Sequence, residues 1–144
     1  MVVAPEKYNA LYAKIGNLNR LLAWAHARAL EDLLAVAPGV TWALSDQFAS
    51  DPNVIYRQLG ERGRSIAWDQ RTKAESDPAV AAASILARDE FLWGIKRCSE
   101  VAGRETPKGA GPPVLAAARE IVALHGPELL AKVAKLHFKT TEQI

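Results

Sequence analysis

The chain has 144 residues, 49% of them hydrophobic and 24% charged, a balance that supports a packed core and argues against disorder. Its formal charge of +2 is too small to imply a polyanionic partner by itself, so such a case must rest on where the lysines and arginines lie. The single cysteine, Cys98, excludes an internal disulfide, the opening MVVAPEKYNA has no signal-peptide core, and no apolar run approaches the roughly 20 residues of a membrane span. A cytoplasmic protein with no membrane partner is therefore expected.

In chain order, Pro5 stands before the helical pattern EKYNALYAKIG, which Gly16 closes; a second helix is predicted over about 17–36, stopped by Pro38 and Gly39. Leu18, Leu22, Ala25, Ala29, Leu33 and Val36 recur at three- and four-residue steps, which predicts that this face is buried. Arg20, Trp24 and Arg28 share another face. A basic stripe around an aromatic can grip a nucleic-acid backbone, but a tryptophan lying on arginine stems at a packing edge is the more ordinary arrangement. Val40, Trp42 and Leu44 then alternate with Thr41, Ala43 and Ser45, predicting a strand that ends at Asp46.

A loop and short helix are expected around PNVIYRQLG, residues 52–60, and a second strand over RSIAW, residues 64–68, bounded by Gly63 and the polar run DQRTK. Asp77 suits a helix N-cap and Pro78 the first helical position. The helix that follows is small or apolar on every side over 79–87, which predicts close packing of that half on the sheet; from Arg88 it carries charges on outward faces. The stretch GRETPKGAGPP is a loop, and two further helices are predicted over 113–125 and 127–138. The expected class is α/β, five or six helices on a small sheet, without internal repeats.

Asp46 ends one strand and Glu75 opens the helix after the next, so adjacent strands would bring the two carboxylates to one end of the sheet. Paired carboxylates suit a hard divalent cation, which takes oxygen ligands and can activate water. The residues alone leave the alternative open: Asp46 as a turn former, and Glu75 as an acid favoured at a helix N-terminus. His26, His125 and His137 fall on three predicted helices with no i, i+4 pair, which gives no support to zinc. Cys98 lies mid-helix without a visible base and reads as a structural thiol. Lys108 and Gly109 in PKGAG offer a cation and backbone amides to a phosphate, without the Lys-Ser/Thr ending of a P-loop.

The stretches YNALYAKIGNLNRLLAWAHARALEDLL, SDQFA, TKAESDPAVAAASILARDEFL, PKGAG and KLHFKTTE occur in this order. Together they resemble the C-terminal part of the catalytic domain of bacterial ribonuclease HIII, over nearly the whole chain. PKGAG and KLHFK favour that family over its sister, ribonuclease HII. The resemblance implies an RNase H-like catalytic core over 1–144, helix-rich and N-terminally truncated, with a small residual sheet. It implies cleavage of the RNA strand of an RNA–DNA hybrid with Mg²⁺ or Mn²⁺. It assigns Asp46 and Glu75 to the third and fourth of four metal-binding carboxylates, and Lys73 to the substrate backbone, with Lys108 and Gly109 as further substrate contacts.

The family's Asp-Glu-Ser-Gly strand and glycine-rich substrate loop do not occur in these 144 residues. The dipeptide Asp89-Glu90 is not a substitute, because consecutive residues of a helix point about 100° apart. Three accounts are thus expected to compete: a fragment of a longer enzyme, one half of a split enzyme, and a non-catalytic nucleic-acid-binding remnant. Strand edges and the alanine-rich helix face left uncovered would seek a complementary N-terminal segment or self-association.

Overall fold

The computed structural model describes residues 1–51 and 53–144; Pro52, the first residue of the expected 52–60 loop and helix, lies outside them. The chain divides into two compact units. One comprises Met1 with residues 15–86, the other residues 2–14 with 87–144. No helix is long and apolar enough to cross a membrane among the described residues.

In the first unit, Asn17 opens helix α2 (Leu18–Val36) by accepting the Arg20 N–H at 3.0 Å on its side-chain oxygen. Strands β1 (Trp42–Asp46) and β2 (Ala67–Arg71) form a parallel pair, in register from Trp42 beside Ala67 to Asp46 beside Arg71. Between them lie a single turn of 3₁₀ helix (Tyr56–Gln58) and a short helix, α3 (Glu61–Arg64). The core joins Ala23, Ala27, Leu30 and Leu34 of α2 to Ile55 and Leu59, with Ala43, Ile66 and Trp68 packed on it. Glu31 locks the short helix to α2: its Oε1 accepts the Gly63 N–H at 2.7 Å, and a Cβ on Gly63 would meet that same oxygen at 2.7 Å.

The buried face of α2 is not the one expected. Leu33 is 61% exposed and Val36 81% exposed, while the buried stripe runs through Ala23, Ala27, Leu30 and Leu34. Both stripes have helical spacing; the small Ala23 and Ala27, which admit Ile55 and Leu59, decide between them. The second strand is also displaced. Residues 61–64 are helical, and the strand takes in Asp69, Gln70 and Arg71. Polarity did not end it because one face of the sheet is open: Asp69 and Arg71 are exposed, and pairing with β1 sets the length.

The carboxylate of Asp77 accepts the Ala79 N–H at 2.9 Å and caps α4 (Pro78–Ala102), as expected. Close packing of its first half is overturned, since Ile85 and Leu86 are each 70% exposed. Alanines permit close approach but cannot supply the surface approached. The described part of the sheet turns its inner side, Ala43 and Trp68, to α2.

In the second unit, α5 (Pro112–His125) and α6 (Pro127–Val133) bury Ala118, Ile121 and Leu130 against Ala102 at the end of α4. Helix α1 (Pro5–Ile15) joins this unit through Asn9. The Asn9 amide donates to the carbonyls of Ala131 and Ala134, both at 2.9 Å, and its oxygen accepts the Leu136 N–H at 3.0 Å. That clamp explains why α6 stops at Val133, short of the expected 138: its terminal carbonyls are satisfied from outside, and a 3₁₀ turn (Lys139–Gln143) follows. His137 lies with its ring centroid 4.2 Å from that of Tyr12 and 3.9 Å from that of Phe138. Burial, then the nearby Lys135 charge, holds its pKa below the usual histidine range.

Two outcomes follow. Ile55→Ala removes a fully buried side chain and is expected to cost about 2–5 kcal/mol in urea unfolding, whereas Leu33→Ala stays within about 0.5 kcal/mol. Because His137 binds its proton less well when folded, the unfolded state takes up more protons as pH falls below about 6.5, and stability falls with it. The urea midpoint should therefore drop from pH 7.5 to 5.5, and drop less in His137→Asn.

Candidate metal centre

In a parallel pair both strands end at the same side of the sheet, so the register that sets Asp46 beside Arg71 also starts the next turn of chain next to Asp46. The Gln47 N–H extends this pairing to the Arg71 carbonyl at 3.1 Å. The chain then reverses through Lys73, which adopts a left-handed conformation (φ 57°, ψ 36°), into a turn of 3₁₀ helix, Ala74–Ser76. Ala74 is completely buried, and its N–H donates to the Asp46 carboxylate at 3.1 Å. Glu75 follows immediately and is exposed, as are Asp46 and Lys73. An ion pair of 3.8 Å between Arg71 and Asp77 joins the end of β2 to the cap of α4.

Asp46, Lys73 and Glu75 thus come to one end of the sheet, on a turn anchored by a buried alanine. Lys108 and Gly109 belong to the other unit, on the exposed loop before α5, where Gly109 takes a φ of +99° that side chains disfavour. Among the described residues no cluster of three or more His, Cys, Asp or Glu residues could hold a metal. Asp89 and Glu90 are helical and exposed, Glu90 pairing with Arg97 at 3.6 Å. Cys98 is buried, and burial pushes its thiol pKa up, which suits an inert thiol. Arg28, on the Arg20, Trp24 and Arg28 stripe, is paired with Asp32 at 3.0 Å.

Two contributors escaped sequence reading. Ala74 acts through its backbone N–H, which no residue-type pattern reveals; its one signal is a small residue between Lys73 and Glu75. Arg71 sat in the polar run expected to bound the second strand, and only the strand register gives it a place beside Asp46.

A family profile described as Ribonuclease HII matches residues 2–141. The chain belongs to the ribonuclease HII family. Among relatives of this ribonuclease HII family member, the Ribonuclease HIII of Chlamydia pneumoniae is 47% identical over 144 residues, which is all of this chain and 48% of the relative. That of Chlamydia abortus is 44% identical over the same span. The crystal structure of Bst-RNase HIII in complex with Mn²⁺ superposes with a TM-score of 0.89 at 32% identity, over 99% of this chain and 48% of that one. The structure of Aquifex aeolicus RNase H3 does so with a TM-score of 0.68 at 30% identity, over 94% and 47%. The fold is therefore that of ribonuclease HIII, as the sequence resemblance implied, and the chain spans about half the length of the relatives it matches.

The left-handed backbone at Lys73 costs on the order of 1–2 kcal/mol in a non-glycine residue. Lys73→Gly relieves that strain but adds freedom to the unfolded chain. Its unfolding free energy from urea titration is expected to equal that of wild type or exceed it by less than about 1 kcal/mol.

Proposed function

We propose that residues 1–144 form part of one ribonuclease HIII-type catalytic domain, a metal-dependent endonuclease acting on the RNA strand of RNA–DNA hybrids. The observation that carries this reading is the 3.1 Å hydrogen bond between the Ala74 N–H and the Asp46 carboxylate, which sets the strand end against the turn bearing Glu75. The donor set fits a hard cation in kind, being two exposed carboxylates, though it is smaller than the oxygen set that Mg²⁺ or Mn²⁺ completes. When bound between such carboxylates, the ion supplies activation of water and stabilisation of the leaving alkoxide. Asp46, already fixed by one hydrogen bond, and Glu75 would hold the metal. Lys73 would meet a backbone phosphate beside them, and Lys108 with the Gly109 amide a further phosphate. The remaining ligands would come from water, substrate and a companion segment that supplies the family's other two carboxylates.

A non-catalytic, hybrid-binding role is the second reading, favoured by the lack of a third metal-binding side chain near Asp46 and Glu75 among the described residues.

The test is a chimera in which these 144 residues replace the matching region of the Chlamydia pneumoniae relative. Mn²⁺- or Mg²⁺-dependent cleavage of a labelled hybrid is expected. Asp46→Asn and Glu75→Gln should each lower the rate by more than about 100-fold, since even outer partners of metal ligands cost 10–100-fold. The 144-residue chain alone should cleave little or not at all. A folded chimera that binds the hybrid and never cuts it would establish the binding role, and robust cutting by the isolated chain would refute the need for a companion.

A further inference from the structure

All five ion pairs among the described residues anchor an arginine, and none involves a lysine. The free lysine charges are unevenly placed: Lys7 and Lys14 lie on α1, and Lys132, Lys135 and Lys139 on α6 and the segment after it, all within the second unit. The same segment carries a cluster of tilted aromatic rings. Tyr8 Oη lies 3.3 Å from Nδ1 of His137, whose ring is tilted against both Tyr12 and Phe138. Phe138, at the edge of this cluster by exposure, is 47% exposed. Lys135 Nζ stands 4.5 Å from the centre of the Tyr8 ring, which holds that cation beside the aromatic cluster.

The surface is built in advance of any ligand. Asn9 clamps residues 131–136 by three hydrogen bonds, and Arg119 pins the far end by donating to the Gln143 carbonyl at 2.7 Å. An exposed aromatic plane with unneutralised ammonium groups alongside is the chemistry that recognises a polyanion with a stackable base. A fully paired duplex offers its phosphates but not its base faces, so the exposed plane selects an unpaired strand.

We propose that the face formed by α1 and residues 132–139 is a contact surface for single-stranded nucleic acid, with Phe138 stacking on an unpaired base and Lys135 and Lys139 meeting the phosphates. It deepens the nuclease reading by giving the unpaired strand flanking a hybrid a place to dock, and it rests on that reading only for the class of polymer.

The experiment measures fluorescence anisotropy of a labelled twelve-nucleotide single-stranded RNA with the 144-residue chain in EDTA, where no cleavage can intervene. Binding is expected. Phe138→Ala should weaken it at least about fivefold, the lower end for loss of one base stack, while Phe138→Trp retains it. Removing two phosphate contacts in the double variant Lys135→Gln, Lys139→Gln should lower the slope of log affinity against log salt by about 1.4. The proposal is overturned if Phe138→Ala binds within twofold of wild type, if the tryptophan variant binds as poorly as the alanine variant, or if the double variant keeps the wild-type salt slope. A failure here leaves cleavage by the chimera untouched, and a chimera that cannot cut leaves this binding untouched.

Discussion

The hydrogen bond that Ala74 gives to Asp46 is the constraint on which the candidate centre depends. It joins two pieces of chain that the sequence separates by 28 positions, and it needs three things at once. The strands must be parallel and in this register, Lys73 must reverse the chain in a left-handed conformation, and Ala74 must be small enough to sink completely into the unit. Glu75 then has little freedom in where it emerges. A longer side chain at 74 would push the turn away from the sheet and take Glu75 with it, so the position of one carboxylate is set by the packing of its neighbour.

How much of this was legible depends on whether the signal was local. Helix boundaries at Asn17, Asp77 and Pro78 are written in residues that act on their immediate neighbours, and these stand where the sequence placed them. The face of α2 was not legible, because two stripes of helical spacing coexist and only the arrival of Ile55 and Leu59 chooses between them. The polar residues Asp69 and Arg71 concealed the second half of β2, since an open sheet face accepts polarity that a covered one would reject. The end of α6 is set by Asn9, more than 120 residues away, and no local pattern carries such information.

The two carboxylates were legible as candidates from their expected strand-end and helix-start positions, and it was family resemblance, not spacing, that singled them out as candidate metal ligands. The strain at Lys73 was not, because nothing in the run TKAES requires a positive φ. Nor was the setting of KLHFK, which the sequence offered only as a mark of family resemblance: Phe138 is half exposed and the histidine before it lies against two tyrosines from the other end of the chain.

The left-handed backbone at position 73 also acts as a filter on genetic drift. Glycine, asparagine and aspartate enter that conformation with little penalty, while valine, isoleucine and threonine, branched at Cβ, are strongly resisted. A lineage that retains a long cationic residue there carries its strain generation after generation, and has reason to do so only while the ammonium group is useful. Released from that use, the position would drift toward glycine or asparagine with the turn intact. The residue found at this one site in sister copies of the gene is therefore a record of whether the turn still serves chemistry or has become architecture.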